Sequence, residues 1–147
     1  MSRLSGFFKS LMGRKPAFVQ VGALCLRGPE GLREVLLVSS LRTGRWIIPK
    51  GWPMKDKSLA QAAEQEAWEE AGVQGEIARV PMGRYTYLKD RGKRLGVVCE
   101  VHVFEMNDVT LADDYPELGR RERQWVLTSK AAEMVDEPEL QEILKSL

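Results

Sequence analysis

Three glutamates, Glu66, Glu69 and Glu70, fall within two helical turns of the stretch QEAWEEAGV (65–73). Spaced i, i+3 and i+4, they are neighbours on a helix surface, where like charges repel modestly. Such a cluster has two readings: a face turned to water, or a face covered by something cationic. At ~100° per residue, Leu59, Ala62, Ala63, Glu70 and Val73 all lie within roughly 60° of Glu66. Ala60, Ala67 and Ala71 continue the apolar band, whereas Gln61, Glu64, Gln65 and Trp68 point the other way. Glu66 and Glu70 therefore sit on the side that ought to face the rest of the protein. Carboxylates buried there without partners are costly. A hard divalent cation is the obvious partner for carboxylate oxygens. Glu69, at the edge of that face, is placed either to join the ligands or to stay in water. The wheel alone leaves a metal site and an ordinary acidic helix edge both open.

The segment ahead of the helix adds a second element. Gly51-Trp52-Pro53 forms a turn leading into the helix, where backbone N–H groups and a helix N-terminus can approach an anion. Lys50 and Lys55 lie on it, and Arg42 and Arg45 precede it. Each of these cations alone is more often solvent-facing charge. Carboxylates suited to a metal, beside a basic glycine-bearing loop, together suggest a diphosphate, with metal on its oxygens and cations around the rest.

The elements that must hold these residues can be read along the chain. AFVQVGALCLR (17–27) and EVLLVSSLR (34–42) flank a Gly/Pro turn and read as an antiparallel pair. RWIIPKGWPMKDK (45–57) opens with a short apolar run and becomes loop at its prolines and Gly51. Ser58 can cap a helix with the body LAQAAEQEAWEEA, and Gly72 ends it. EIARVPMGRYTYL and RLGVVCEVHVFEM, joined at KDRGK, carry a hairpin signal. RQWVLTS (123–129) reads as one more strand, and SKAAEMV and PELQEILKSL as closing helices. The expectation is an α+β fold, an α/β/α sandwich whose mixed sheet carries the glutamate helix.

The bulk numbers narrow the class. A chain of 147 residues with 44% apolar and 29% charged residues suits one domain, here residues 16–147. A formal charge of +1 gives no argument for nucleic acid as a partner. Apolar runs fall well short of the ~20 residues a membrane span needs. Residues 1–15 form a short basic amphipathic segment, with Leu4, Phe7, Phe8, Leu11 and Met12 at helical spacing. They read as a docked helix or a tail, with membrane-surface anchoring the minor alternative. Cys25 and Cys99 lie far apart in apolar segments, as buried free thiols in a reducing cytoplasm would. His102, the sole histidine, restricts any histidine triad to itself and removes multi-histidine metal sites.

The span GWPMKDKSLAQAAEQEAWEEAGV (51–73) resembles the Nudix box, G-x5-E-x7-R-E-U-x-E-E-x-G-U with U apolar. Gly51, Glu66, Ala67, Glu69, Glu70, Gly72 and Val73 match it. EVLLVSSLRTGRWIIPKG and RRERQWV look like the diphosphoinositol polyphosphate phosphohydrolase branch, and the resemblance covers roughly residues 17–135. It implies that Glu66 and Glu70 are the principal Mg2+ ligands, with Mn2+ an alternative. Glu69 would be a further ligand or would orient water, so all three count as catalytic. Gly51 permits the tight loop, Arg42, Arg121 and Arg123 match positions that hold the polyphosphate, and Ser39 and Ser40 match a serine-bearing strand end. With Arg45, Lys50 and Lys55 from the loop, these make the expected substrate-binding set. Two positions depart from the box: Lys57 replaces its first Glu and Gln65 its Arg.

The implied chemistry is metal-assisted attack of water on phosphorus in a diphosphate linkage of a nucleoside or inositol polyphosphate. A diadenosine polyphosphate is the favoured substrate, with Trp46 and Trp52 as residues that would stack on a base or pack in the protein. The base is expected to be Glu69 or a carboxylate from elsewhere; Glu100 is a candidate that also fits a solvent-facing strand position. The competing class is a non-catalytic Nudix-like sensor that binds a nucleotide, motivated by Lys57 and Gln65. A homodimer is compatible with the sequence.

Overall fold

The run Val21 to Leu26 carries no polar side chain. A strand of that kind needs cover on both faces, because its side chains alternate. The computed structural model describes residues 15–91 and 94–147 and supplies that cover. β1 (Phe18–Arg27) sends Val21, Ala23 and Cys25 into one core and Leu24 and Leu26 into another. The first core is completed by helix α1 (Leu59–Ala71), which contributes Ala60, Ala62, Ala63, Ala67 and Ala71. The second is completed by α2 (Thr128–Met134) and α3 (Pro138–Lys145), through Ala131, Ala132, Leu140 and Leu144. The layers are α/β/α, as the sequence reading expects.

The sheet is mixed. β1 runs antiparallel to β2 (Glu34–Ser39) and to the short β4 (Lys50–Gly51), and parallel to the 18-residue β7 (Arg94–Leu111). β3 (Trp46–Ile47) and β8 (Arg123–Leu127) pair with β2. Lys50–Gly51, read from the sequence as loop, is strand β4, and the strand read over 123–129 gives its last two residues to α2; the larger difference lies further along the chain. EIARVPMGRYTYL, expected as one strand, is divided into β5 (Val73–Ile77) and β6 (Gly83–Arg91). Pro81 lies between them and has no N–H to give a ladder. Each piece pairs with its own half of β7: β5 with the stretch from Met106 to Leu111, and β6 with residues up to Val103. The expected hairpin of β6 and β7 is present, although residues 92 and 93 of its turn lie outside the described residues.

The reading of residues 1–15 falls outside the described residues except at Lys15. Cys25 and Cys99 are buried free thiols, and burial pushes the Cys25 thiol up to about 12. Among the described residues no helix is long and apolar enough to cross a membrane.

Candidate active site

Helix α1 begins and ends where its local sequence dictates. Ser58 Oγ accepts from Gln61 N at 3.1 Å and Gln61 Oε1 accepts from Ser58 N at 2.8 Å, a reciprocal capping box. Gly72 closes the helix at φ +67°, and a Cβ there would stand 2.5 Å from the Tyr115 ring, so glycine is required twice over. Between these caps the helix delivers its carboxylates as the wheel predicts. Glu70 is only 3% exposed, Glu66 and Glu69 are half-buried, and Trp68, on the opposite side, is also half-covered.

Glu70 is held from two sides. Its Oε1 accepts from the backbone N–H of Lys50 at 3.3 Å, and its Oε2 lies 3.7 Å from Arg121 Nη2. That second distance makes an ion pair but no hydrogen bond, so Oε2 is buried without a hydrogen-bond donor. Burial pushes the Glu70 carboxyl up to about 8, against the opposing pull of Arg121. Burial, then the charges of Glu69 and Glu117, push Glu66 up to about 7. Glu66 lies directly against Gly51: a Cβ at residue 51 would stand 2.3 Å from Glu66 Cδ. The glycine is thus a cradle for the carboxylate as well as a loop residue. Glu69 Oε1 accepts from Gln65 Nε2 at 2.9 Å, so the departure from the motif Arg leaves a neutral donor on this carboxylate.

A cavity of about 330 Å3 opens over Glu70. Arg42, Arg45, Lys50 and Arg121 line it, as does Lys89 from β6. Lys50 Nζ donates to the hydroxyl of Tyr87, another lining residue, at 3.0 Å, and burial pulls its ammonium down to about 8. Arg121 is fixed by its Nη1 donating to the Ser39 carbonyl at 3.1 Å. Ser39 Oγ in turn accepts from the Glu122 N–H at 2.8 Å, and Ser40 lines the cavity itself.

Other expected residues lie elsewhere. Lys55 and Lys57 are exposed on the loop before α1 and do not line the cavity, which gathers around Glu70 and not around the helix N-terminus. Arg123 Nη1 donates to the Ala71 carbonyl at 2.7 Å and its guanidinium stacks on Tyr115, 4.9 Å from the ring centre. It binds the last turn of α1 and is not on the cavity wall. Glu100 pairs with His102 Nε2 at 2.9 Å and Arg84 at 3.4 Å, away from the cavity. Trp46 packs on a core, whereas Trp52 is 43% exposed, edge-on to Phe18 and 5.7 Å from Lys89 Nζ.

Lys89 and Glu117 are among the residues that escaped the sequence reading. Lys89 has no local mark, since only the pairing of β6 with β7 turns it toward the loop of Arg42. Glu117 lies in the connection before β8, donates its N–H to the Glu69 carbonyl at 3.0 Å, and sits 3.5 Å from Arg121 Nε. It adds a carboxylate close enough to raise Glu66. The acidic run DDYPEL offered a signal, but nothing in it locates the fold-back onto α1.

Among the described residues no three His, Cys, Asp or Glu side chains already converge as a metal cage. The donor set nevertheless suits a divalent cation. Glu70 has a buried oxygen without a hydrogen bond, Glu66 has a cradle that only glycine leaves open, and both carboxyls carry a desolvation cost that a cation would relieve.

Residues 16–146 match the NUDIX domain. Nudix hydrolase 12, mitochondrial, from Arabidopsis thaliana is 34% identical over 107 residues, covering 69% of this chain and 51% of the relative. Diphosphoinositol polyphosphate phosphohydrolase 3-alpha from Mus musculus is 36% identical over 110 residues, covering 72% of this chain and 62% of the relative. The chain spans about half the length of the plant relatives it matches. In fold, it superposes on the crystal structure of a C. elegans Ap4A hydrolase with a TM-score of 0.59 at 21% identity, covering 86% of this chain and 92% of that one. By its matched sequence and its layered fold, this chain belongs to the NUDIX domain family.

Proposed function

We propose that the chain is a metal-dependent hydrolase that cleaves a diphosphate linkage in a nucleoside or inositol polyphosphate, with a diadenosine polyphosphate favoured. The observation that carries this reading is the pairing of a buried, partly unpartnered carboxylate, Glu70, with a cavity walled by Arg42, Arg45, Lys50, Lys89 and Arg121. The cationic wall suits an anion of several phosphates. Exposed Trp52, reached through Lys89, offers a flat surface for a base beside that wall.

Glu66 and Glu70, with Glu69 beside them, would hold Mg2+ or Mn2+. When bound, such a cation supplies charge neutralisation and Lewis acidity at the phosphoryl oxygens. The chain's own groups account for the rest. Arg121, Arg45 and Lys50 orient the anion and oppose charge developing on the phosphoryl oxygens. A water oxygen forms the new bond to phosphorus as the bond to the bridging oxygen breaks. The water proton passes to a carboxylate, for which Glu69, oriented by Gln65, and Glu117 are the nearby groups. The leaving oxygen departs as a phosphate.

The test is a panel of diadenosine and inositol polyphosphates with purified protein, in Mg2+ and in Mn2+. Release of phosphorylated products by the wild type, lost in Glu70→Gln while substrate is still bound, supports the enzyme. The other reading, a nucleotide sensor, draws on Lys57 and Gln65 at the two altered motif positions. A wild type that binds a panel member and turns over none establishes it instead.

A further inference from the structure

Glu137 is a second buried glutamate, 2% exposed, and no step above uses it. It stands just before α3, 92 residues from Arg45 in sequence, yet its Oε2 accepts from Arg45 Nη1 at 2.7 Å. Its Oε1 is buried without a hydrogen-bond partner, so Arg45 is the partner that meets its charge most directly. Asp136 stands further off, 3.8 Å from the same nitrogen.

The carboxylate is delivered from a fixed place. Gln141 donates its backbone N–H to the Glu137 carbonyl at 2.9 Å and its side-chain amide to the Val135 carbonyl at 2.8 Å. Glu139 accepts from Thr86 N at 2.8 Å and Thr86 Oγ1 at 2.9 Å, tying α3 to β6. Arg45 meanwhile lines the cavity over Glu70. A long side chain with many rotamers loses freedom when it grips a ligand, and one already held loses less.

We infer that Glu137 is a positioning residue, which holds Arg45 in the cavity wall so that a diphosphate meets a preset guanidinium. The inference rests on the reading of the cavity as a diphosphate site. It makes a prediction opposite to that of charge alone. Removing a negative charge beside the cavity should tighten anion binding by simple electrostatics, whereas loss of a positioning group should weaken it.

The test uses calorimetric titration of inorganic diphosphate, in Mg2+ buffer, into the wild type, Glu137→Gln, Arg45→Ala and the double variant. Glu137→Gln should weaken binding about tenfold, the order expected for loss of one charged hydrogen bond. In the Arg45→Ala background the same change should add nothing. Binding that is equal or tighter in Glu137→Gln, or weakening that persists without Arg45, overturns the inference. Should Glu137→Gln not fold, Glu137→Asp keeps the charge and draws the carboxylate back by one methylene. Weaker binding in that variant supports positioning, and unchanged binding refutes it. A wild type that binds no diphosphate fails earlier, at the reading of the cavity, and removes this inference with it.

Discussion

Glu70 and Glu137 are both glutamates withdrawn from water beside the same cavity, and each has one buried oxygen without a hydrogen bond. They differ in what faces the other oxygen. Glu137 takes a charged hydrogen bond there from Arg45 at 2.7 Å, whereas Glu70 receives only a backbone N–H at 3.3 Å; Arg121 lies 3.7 Å from its other oxygen, Oε2. The fold has therefore given one carboxylate a cation at hydrogen-bond distance, while the other has Arg121 only as a longer ion pair. A buried charge short of a partner is a standing cost. At Glu70 the charge of Glu66 adds to that cost, and this is where we propose that a cation from solution binds.

The contrast can be broken at either end, and the largest effect is expected at Glu70. Glu70→Gln should lower kcat about a thousandfold or more, with a much smaller change in KM, because the role proposed for it is in the reacting assembly. Steady-state kinetics on the best panel substrate measures both. Gly51→Ala comes next. Its Cβ would fall within 2.3 Å of Glu66 Cδ, so the carboxylate must move, and displacement of that order costs about a hundredfold in turnover.

Stability sharpens the comparison without reference to turnover. In metal-free protein, Glu66 and Glu70 titrate near 7 and 8, above the about 4.5 of an unfolded glutamate. The folded state then binds more protons between those values, so its stability should fall as pH rises from about 4.5 to about 8. Urea unfolding in chelator should show that decline in the wild type and a shallower one in Glu70→Gln. Saturating Mg2+ should restore stability at the alkaline end. The smallest effects belong to cations off the cavity wall. Arg123→Ala should cost about 1–2 kcal/mol through the lost bond to the Ala71 carbonyl, with less change in KM than Arg121→Ala. Lys55→Ala should alter KM less than about twofold, the scale of an exposed charge.

What was legible in the sequence was what is decided locally. Ser58, Gly72 and the alanine band mark α1 from end to end, because capping and helical periodicity act within a few residues. The same periodicity placed Glu66 and Glu70 on the inward side. The layered fold followed from the order of the elements, strands around one central helix with further helices closing the chain. The division of β5 from β6 was not legible, since it depends on which half of β7 each strand meets. The partners of the site were hidden for the same reason: Glu137 reaches Arg45 across 92 residues, and Lys89 and Glu117 arrive from a hairpin and a loop. Arg123 shows the converse: a motif position points to the anion, while the fold in hand gives its guanidinium to the end of α1.

We propose that Glu70, unlike Glu137, takes a divalent cation. Mn2+ binding followed by electron paramagnetic resonance in the wild type, Glu70→Gln and Glu137→Gln tests it directly. The wild type and Glu137→Gln should bind Mn2+ alike, and Glu70→Gln should lose most of the affinity. Equal binding by all three proteins, or loss in Glu137→Gln with retention in Glu70→Gln, would contradict it.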